Sequence, residues 1–435
     1  MNKTIKIEGF KVQQLTSKPI AIASIGFQDL RKIVKFTYRE PQNYDPFNPE
    51  KSIEEVTEDI NKDYYQRLTN DKRLSSIYSF LVKEINNIIS TENNAIGSFP
   101  TAIIISMDIN QDIETEEELI DLINQDEYSG ALYNENGNKI ELVAPANKVS
   151  LIVDGQHRLS AMIQLYEDAK NNSIRIGRNS LKTEYPKVSN DLIIKHLERF
   201  ELNCTLLLGF DKWEQGKVFA DVNFNQKPVN KSLYYDIFGS FPDPNKNDIF
   251  LAHMLAMHLN NNSNSVIQNS IKMLGSGKGY FSQAFFVEAL LEHFGKNGIW
   301  NTIPMDYLNG GSEYKILPKI LKAYLKAVKL NFEDFWPKEG QDTSRKYPHN
   351  LLKTTGMGAL LKLIAPIYRK YKTEIDFKSI SIEDLTSRFE NELKKASVNG
   401  SKYFSNEGEF SGSGSKGLQN KLFIKLGTDL GYFNK

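Results

Sequence analysis

The sequence has little sulfur chemistry and no long apolar run. Its single cysteine, Cys204, excludes an internal disulfide and leaves no thiolate cluster for zinc. No stretch approaches the ~18 uninterrupted apolar residues of a membrane-spanning helix. The opening MNKTIKIEGFKVQQL also lacks the apolar core of a secretory signal. These absences predict a cytoplasmic protein that has no membrane partner.

The sequence also has no net charge. Lys and Arg together number 54, as do Asp and Glu, so no global field draws the chain to nucleic acid or to an acidic membrane. The six histidines form no HExxH pair, and no stretch satisfies GxxxxGK[ST] or GxSxG. The sequence therefore predicts no metal site, and any binding to DNA has to come from a local patch of basic residues.

What is present is an ordinary globular composition. The chain has 435 residues, of which 40% are hydrophobic and 25% charged, enough for two domains or one large one. Strand-like and helix-like patterns are mixed up to about residue 210, and helical patterns dominate afterwards. We therefore predict an α+β domain over residues 1–235 and a mainly α-helical domain over residues 236–435.

Five local patterns in the first domain predict particular elements. They are a strand over Ile20–Phe27, a helix capped by Asp71 with an apolar stripe of Leu74, Ile77, Leu81, Ile85 and Ile88, a buried strand at Ile103–Ile105, a helix with a capping box of Thr115 and Glu118, and a hairpin turn at Asn136-Gly137.

The segment VSLIVDGQHRLSAM places five polar or flexible residues between an apolar run and an apolar repeat. Val149–Val153 is typical of a buried strand, and Leu159, Met162, Ile163 and Tyr166 recur at helical spacing. The residues between them, Asp154–Arg158, are therefore predicted to form a strand-to-helix turn. The first turn of such a helix presents N–H groups and a positive dipole end, which suit an anion.

Each residue of this turn has a candidate role. Gly155 lets the backbone bend or approach a ligand closely, Arg158 can bind a phosphate through two hydrogen bonds, and His157 can supply a proton near neutral pH. Asp154 can cap the helix, orient His157 or take a metal. A purely structural turn, with Arg158 extended along the surface, is the alternative.

The string VDGQHRLSA resembles the signature of the DGQHR-domain family, which includes the DndB proteins of bacterial DNA phosphorothioation systems. YYQRLTNDKRLSSIYSFL resembles the early YQR segment of that family, and FADVNFNQKPVNKSL resembles its Asn-rich element. HNLLKTTGMGAL resembles a later segment more loosely. The matching residues of the first two segments are Tyr65, Gln66, Arg67, Arg73, Asn223, Asn225, Gln226, Lys227 and Pro228.

More distantly, the strand, turn and helix resemble the ParB and sulfiredoxin superfamily. That resemblance implies a ParB/sulfiredoxin-like first domain in which the turn binds a nucleoside triphosphate, with Mg²⁺ as a candidate accompanying ion. It implies Asp154, His157 and Arg158 as catalytic residues. It also implies a nucleotide-binding set made of Gly155, Gln156 and the family segments through Gln66, Arg67, Asn225, Gln226 and Lys227. Gln156 stands where sulfiredoxin has its cysteine, so thiol chemistry is not implied.

One helix of the second domain carries a single-sign stripe. From Pro318, PKILKAYLKAVKL places Ile320, Leu321, Tyr324, Leu325 and Val328 on one face, and the opposite face carries Lys319, Lys322, Lys326 and Lys329. Such a stripe is either a solvated face or a surface that follows a phosphate backbone. The loop from Lys170 to Lys187, with five basic residues, is a second candidate, and its Asn, Ser and Gly content predicts mobility.

Two functions remain open from the sequence. One is a nucleotide-binding, NTP-hydrolysing component of a DNA-modification or anti-phage defence system. The other is a non-enzymatic DNA-binding transcriptional regulator of such a system. Both predict DNA and other proteins of that system as partners, with a homo-oligomer as a further candidate.

Overall fold

The computed structural model describes residues 3–36, 47, 71–89, 99–125, 130–147, 150–226, 231–240, 248–275, 278–303, 313–338, 347–411 and 415–434. These residues divide into two compact units. Unit 1 contains the described residues up to Gln226 except Phe47, and unit 2 contains Phe47 and the described residues from Lys231 onwards.

Unit 1 is built on a mixed sheet of eight strands, whose order is β3-β7-β4-β10-β2-β1-β6-β5. The β3–β7 and β4–β10 pairs are parallel and the other five are antiparallel. This confirms an α+β fold in place of a doubly wound sheet. The strands of unit 1, including a separate two-stranded hairpin of β8 and β9, are β1 Thr4–Val12, β2 Ile20–Gly26, β3 Val34–Lys35, β4 Ile103–Met107, β5 Leu132–Asn136, β6 Lys139–Pro145, β7 Ser150–Asp154, β8 Arg175–Ile176, β9 Asn179–Ser180 and β10 Glu201–Leu208.

Helices cover one face of this sheet, which we call the inner face. The helices of unit 1 are α1 Phe27–Ile33, α2 Asp71–Ile89, α3 Glu116–Asn124, α4 Gln156–Lys170, α5 Leu181–Glu184, α6 Asn190–Glu198 and α7 Lys212–Gln226. Side chains of α1, α2, α4, α5 and α6 join the core on the inner face, α3 packs on the opposite, outer face, and α7 packs against β7. On the inner face α2 and α6 pack against α4. Their apolar sides form one core with Ile5, Ile7 and Ile25 of the sheet. On the outer face Leu119 of α3 packs with Leu132 and Val143.

Three local predictions are confirmed. Ile103 and Ile105 of β4 are fully buried, as expected of a central strand. In the capping box, the Thr115 hydroxyl accepts from the Glu118 N–H and the Glu118 carboxylate accepts from the Thr115 N–H, each at 3.2 Å. The hairpin of β5 and β6 turns at Asn136-Gly137, where Gly137 has a φ of 61°.

The predicted stripe of α2 is wrong at its C-terminal end. Ile88 is 44% exposed, whereas Tyr78 and Val82 are buried. The buried side follows Leu81, Val82 and Ile85 and continues four residues on at Ile89, because the helical period of 3.6 residues carries Ile88 away from the core.

A β-bulge interrupts the pairing of β4 with β7. Ile104 pairs with Asp154 and Ile105 pairs with Ile152, so Val153 is an extra residue on β7. Ile152 and Val153 are consecutive and both fully buried, which regular alternation along a strand facing solvent would not allow. The bulge therefore lies at the last residues before the predicted functional turn.

The described part of unit 2 is helical apart from a pair of two-residue strands. Its helices α9 and α10, α10 and α12, α11 and α13, and α12 and α15 pack in pairs around one apolar core. No helix among the described residues of either unit has the length and apolar character needed to cross a bilayer. The elements are α8 Lys231–Phe238, α9 Asp248–Asn261, β11 Ile271–Lys272, β12 Phe281–Ser282, α10 Gln283–Phe294, α11 Ile316–Asn331, α12 Thr354–Tyr371, α13 Ile382–Ser397, α14 Gly400–Phe404 and α15 Lys416–Asp429.

Candidate functional site

The segment Asp154–Arg158 joins β7 to α4, as the sequence predicts. β7 ends at Asp154, and Gly155 is the N-cap residue with a φ of 95° and a ψ of 6°. The Gly155 carbonyl accepts from the N–H of Arg158 at 3.0 Å and of Leu159 at 3.2 Å. No side chain caps α4. The capping role for Asp154 is therefore wrong, because Asp154 is still paired in the strand.

Gly155 lies against the neighbouring strand. A Cβ atom added to it would be 3.0 Å from Cγ1 of Ile103, 3.3 Å from Cα of Ile103 and 3.0 Å from Nη2 of Arg158. Both the left-handed backbone and the close approach to β4 therefore require glycine at this position. The sequence predicts that the backbone of Gly155 can approach a ligand closely. In the structure it approaches Ile103 of β4.

Arg158 ties the start of α4 to the residues that precede β4. Its Nη1 donates to the carbonyl and, at 2.8 Å, to the hydroxyl of Thr101, and its Nη2 donates to the Ala102 carbonyl at 2.8 Å. The Asp154 carboxylate lies 3.9 Å from Nη2. The side chain is 14% exposed, so it is not extended along the surface as the structural alternative supposed.

Arg73 affects the pKa of Arg158. Burial lowers the pKa of Arg158, the Asp154 carboxylate opposes that effect, and the positive charge of Arg73 on α2 lowers this pKa further. Arg73 is exposed and comes from the segment that resembles the YQR element. Arg73 of α2 therefore lies within electrostatic range of Arg158 at the start of α4. The sequence indicates Arg73 only as a matching residue of the YQR segment and does not place it in the predicted site.

The first turn of α4 faces inward. Gln156 is 4% exposed and His157 is 8% exposed, while Asp154 is half-buried. The proton-transfer role predicted for His157 thus belongs to a ring that is largely shielded from solvent.

The Asn-rich element reaches the same strand. α7 ends at Gln226 and packs against β7, which leads directly into the turn. Asn225 and Gln226 lie in the last turn of α7. Gln66, Arg67 and Lys227 lie outside the described residues, so the convergence of the three segments on one pocket stays a prediction.

The lysine stripe lies on α11 in unit 2. The helix begins at Ile316, two residues before the predicted start at Pro318, and its predicted apolar face is buried. Nζ of Lys319 donates to the backbone carbonyls of Lys378 and Ile380, both at 3.0 Å. Lys326 is exposed, and Lys322 and Lys329 are half-buried. The stripe is therefore continuous in position, but its first member is held by the protein backbone.

The second basic candidate is structured. The predicted mobility of the loop from Lys170 to Lys187 is wrong, because this segment contains the β8–β9 hairpin and α5. Ser180 caps α5 by accepting from the Thr183 N–H. Nζ of Lys170 lies 4.5 Å from the ring centre of Tyr166.

Metal and thiol chemistry find no support among the described residues. No group of three or more His, Cys, Asp or Glu side chains that could hold a metal ion occurs in that part of the chain. Burial raises the pKa of the Cys204 thiol to about 12, so the thiol is neutral at physiological pH and is a poor nucleophile.

Scans against protein-family models, curated proteins and solved structures found no match to this chain.

Proposed function

We propose that this chain is a cytoplasmic, DndB-like component of a bacterial DNA-modification or anti-phage defence system that binds a nucleoside triphosphate at the Asp154–Arg158 turn and hydrolyses it. Unit 1 would then be a ParB/sulfiredoxin-like domain. DNA and other proteins of the system are its partners in this proposal, with self-association into a homo-oligomer as an additional possibility. The observation that carries it is the geometry of the turn, in which Gly155 starts α4 in a left-handed conformation and Arg158, in the first turn of the helix, lies within electrostatic range of Arg73.

The physical reason is electrostatic. Two guanidinium groups that repel each other are stabilised by an anion placed between them, and the N-terminal end of a helix adds a positive dipole. A triphosphate offers several negative oxygens in the geometry that arginine binds through paired hydrogen bonds. Mg²⁺ would neutralise part of the triphosphate charge, and Asp154, half-buried at the turn, is the predicted residue whose carboxylate could hold such an ion.

Arg73→Gln is the sharpest test, because Arg73 is exposed and glutamine removes the charge while remaining a good helix former. We expect it to weaken binding of ATP, GTP or CTP by roughly 1.5–3 kcal/mol, the scale of a lost charge-assisted hydrogen bond. Isothermal titration calorimetry with and without Mg²⁺ measures this. Arg178→Gln, which removes an exposed arginine of the β8–β9 hairpin, is the matched control and should leave affinity unchanged. Equal affinity in both variants, or no binding of any nucleotide to the unmodified chain, would contradict the proposal.

A DNA-binding regulator without enzymatic activity is the second candidate. It is favoured by the contacts of Arg158, whose donors are directed at the carbonyls of Thr101 and Ala102, and by the burial of His157. In this function the turn stabilises unit 1 or senses a ligand without turnover. Release of inorganic phosphate from a bound triphosphate distinguishes the two functions.

DNA binding by the stripe on α11 is tested at Lys322, Lys326 and Lys329. If Lys322, Lys326 and Lys329 contact phosphates, replacing all three by Gln should weaken binding to every DNA sequence about equally. The slope of log K against log salt should become shallower by up to about 2.7, at ~0.9 for each contact. Fluorescence anisotropy over a salt series measures both quantities. Lys416→Gln with Lys421→Gln, on exposed positions of α15, is the control. An unchanged slope in the triple variant would make the stripe a solvated face.

A further inference from the structure

The outer face of the sheet in unit 1 carries an open groove. Its volume is about 900 Å³, and its lining comes mainly from β10, β2, β1, β6 and β5. Phe10 and Ile22 are directly paired across β1 and β2, and they are 55% and 50% exposed. The groove therefore has an apolar platform in its middle, formed by two large side chains that the fold leaves in contact with solvent.

Two carboxylates stand beside this platform. Glu8 of β1 is directly opposite Glu141 of β6. Among the described residues neither carboxylate has a hydrogen bond or an ion pair within 4.0 Å, but Glu141 interacts electrostatically with Lys6. Like charges directly opposite each other in a sheet are destabilising. Lys6 offsets this repulsion at Glu141, and a positive charge bound beside the pair would reduce it further.

The other charges of the face leave an acidic excess. Lys6 is paired with Glu116 at 2.9 Å and Lys11 with Glu135 at 2.8 Å, so each pair is neutral. Of the charged residues that line the groove, Glu8, Glu141 and Lys139 are outside these pairs. They leave one net negative charge, so the groove favours a cation over a phosphate backbone.

Arginine has the chemistry that matches this arrangement. Its planar guanidinium binds a carboxylate through two parallel hydrogen bonds and stacks on an aromatic ring. Its aliphatic stem covers apolar surface. Glu8 or Glu141 would accept the guanidinium, the Phe10 ring would stack on it, and Ile22 would contact the stem.

The extent of the groove favours a polypeptide over a small cation. Five adjacent strands at ~4.8 Å spacing cover about 19 Å, which is the length of about six extended residues at ~3.3 Å each. We propose that this groove docks an arginine-containing, extended segment of a partner protein. The proposal does not depend on nucleotide binding at the Asp154–Arg158 turn, because Glu8, Phe10 and Glu141 lie on other strands. Ala102, whose carbonyl accepts from Arg158, is the part of the groove lining that adjoins that turn.

The test uses the 435-residue chain and fluorescein-labelled peptides. Fluorescence anisotropy should show binding of GRLRLRG, weaker binding of GKLKLKG because the ammonium lacks the planar fork, and no binding of GELELEG. Glu8→Gln with Glu141→Gln should weaken binding of GRLRLRG by about tenfold, the scale of one lost charge-assisted contact. Phe10→Ser should also weaken it. Lys139→Gln is the matched control on the same face and should tighten binding, since it removes the opposing charge.

Several outcomes would overturn the proposal. Equal binding by the double glutamine variant, or equal binding of GELELEG, would show that charge does not select the occupant. A dimer in light scattering that Phe10→Ser converts to a monomer would assign the face to contact between copies of this chain. The double variant should melt no lower than the unmodified protein, because it removes a repulsion. Should it fail to fold, Glu141→Gln alone carries the same comparison.

Discussion

A Gly155→Ala protein is expected to lose about 3 kcal/mol of unfolding free energy, from two separate costs. Alanine at a φ of 95° pays roughly 1–2 kcal/mol for left-handed backbone. Its methyl group also lies 3.0 Å from Cγ1 of Ile103 and from Nη2 of Arg158, and overpacking of this kind costs ~1–3 kcal/mol. The second cost arises because β4 is a central strand and cannot move away without breaking its pairs on both sides.

Urea unfolding followed by circular dichroism measures the loss. Gly177→Ala separates the two costs, because Gly177 has a φ of 61° and a Cβ atom there would meet nothing within 4 Å. That variant should lose only the backbone term of about 1 kcal/mol. If the two variants were equally stable, the close approach of Gly155 to β4 would contribute nothing, and the requirement for glycine would be one of backbone conformation alone.

Mild acid is expected to destabilise unit 2 through His293. Burial lowers the pKa of His293 from 6.5 to about 4, the Leu361 carbonyl at 3.0 Å opposes that effect, and the charges of Arg369 and Lys362 lower the pKa further. The folded state therefore holds the neutral ring, and below pH 6.5 the unfolded state binds the extra proton. Stability is full above about pH 6.5 and falls until about pH 4, by roughly 3 kcal/mol in total.

His293→Gln removes the titration while keeping a donor for the Leu361 carbonyl. The difference in unfolding free energy between the unmodified chain and the variant should be largest near pH 7 and should shrink as the pH falls toward 4. Fluorescence of Trp300, whose ring lies 5.1 Å from that of His293, reports on unit 2. His196→Gln in unit 1 is the control, because His196 is only partly buried. A difference that does not change with pH would mean that His293 does not titrate differently in the two states.

The elements that the sequence predicts well are those specified by neighbouring residues. The capping box at Thr115 and the hairpin at Asn136-Gly137 depend on a few adjacent positions, and both are present. The turn at Gly155 is of the same kind, since a strand pattern meets a helix pattern around one glycine. The error at Ile88 is a matter of phase, because an apolar stripe drawn at intervals of three and four residues can drift from the true period.

What the sequence does not predict depends on contacts between distant segments. Arg158 is held by the carbonyls of Thr101 and Ala102, which any residue could offer, so no side-chain pattern indicates them. Arg73 approaches Arg158 only because α2 packs on α4. Lys319 is held in the same way by backbone carbonyls. β1 is not among the predicted elements, and neither are the groove residues it carries, although Ile5 and Ile7 alternate with Lys6 and Glu8 as in a strand with one face in the core.

Because Val153 is an extra residue on β7, the fold of unit 1 depends on the number of residues in this strand as much as on their apolar character. Gly155 is the single residue between β7 and α4. The number of residues between Ile152, which pairs with Ile105, and Gly155 therefore determines which side of α4 packs on the sheet. Removing Val153 would restore regular pairing with β4 and advance every later residue by one position, a rotation of ~100° about the helix axis. Leu159 and Met162 would leave the core, and the guanidinium of Arg158 would no longer reach Thr101. A one-residue deletion here would therefore change the helix face as thoroughly as replacing its apolar side chains.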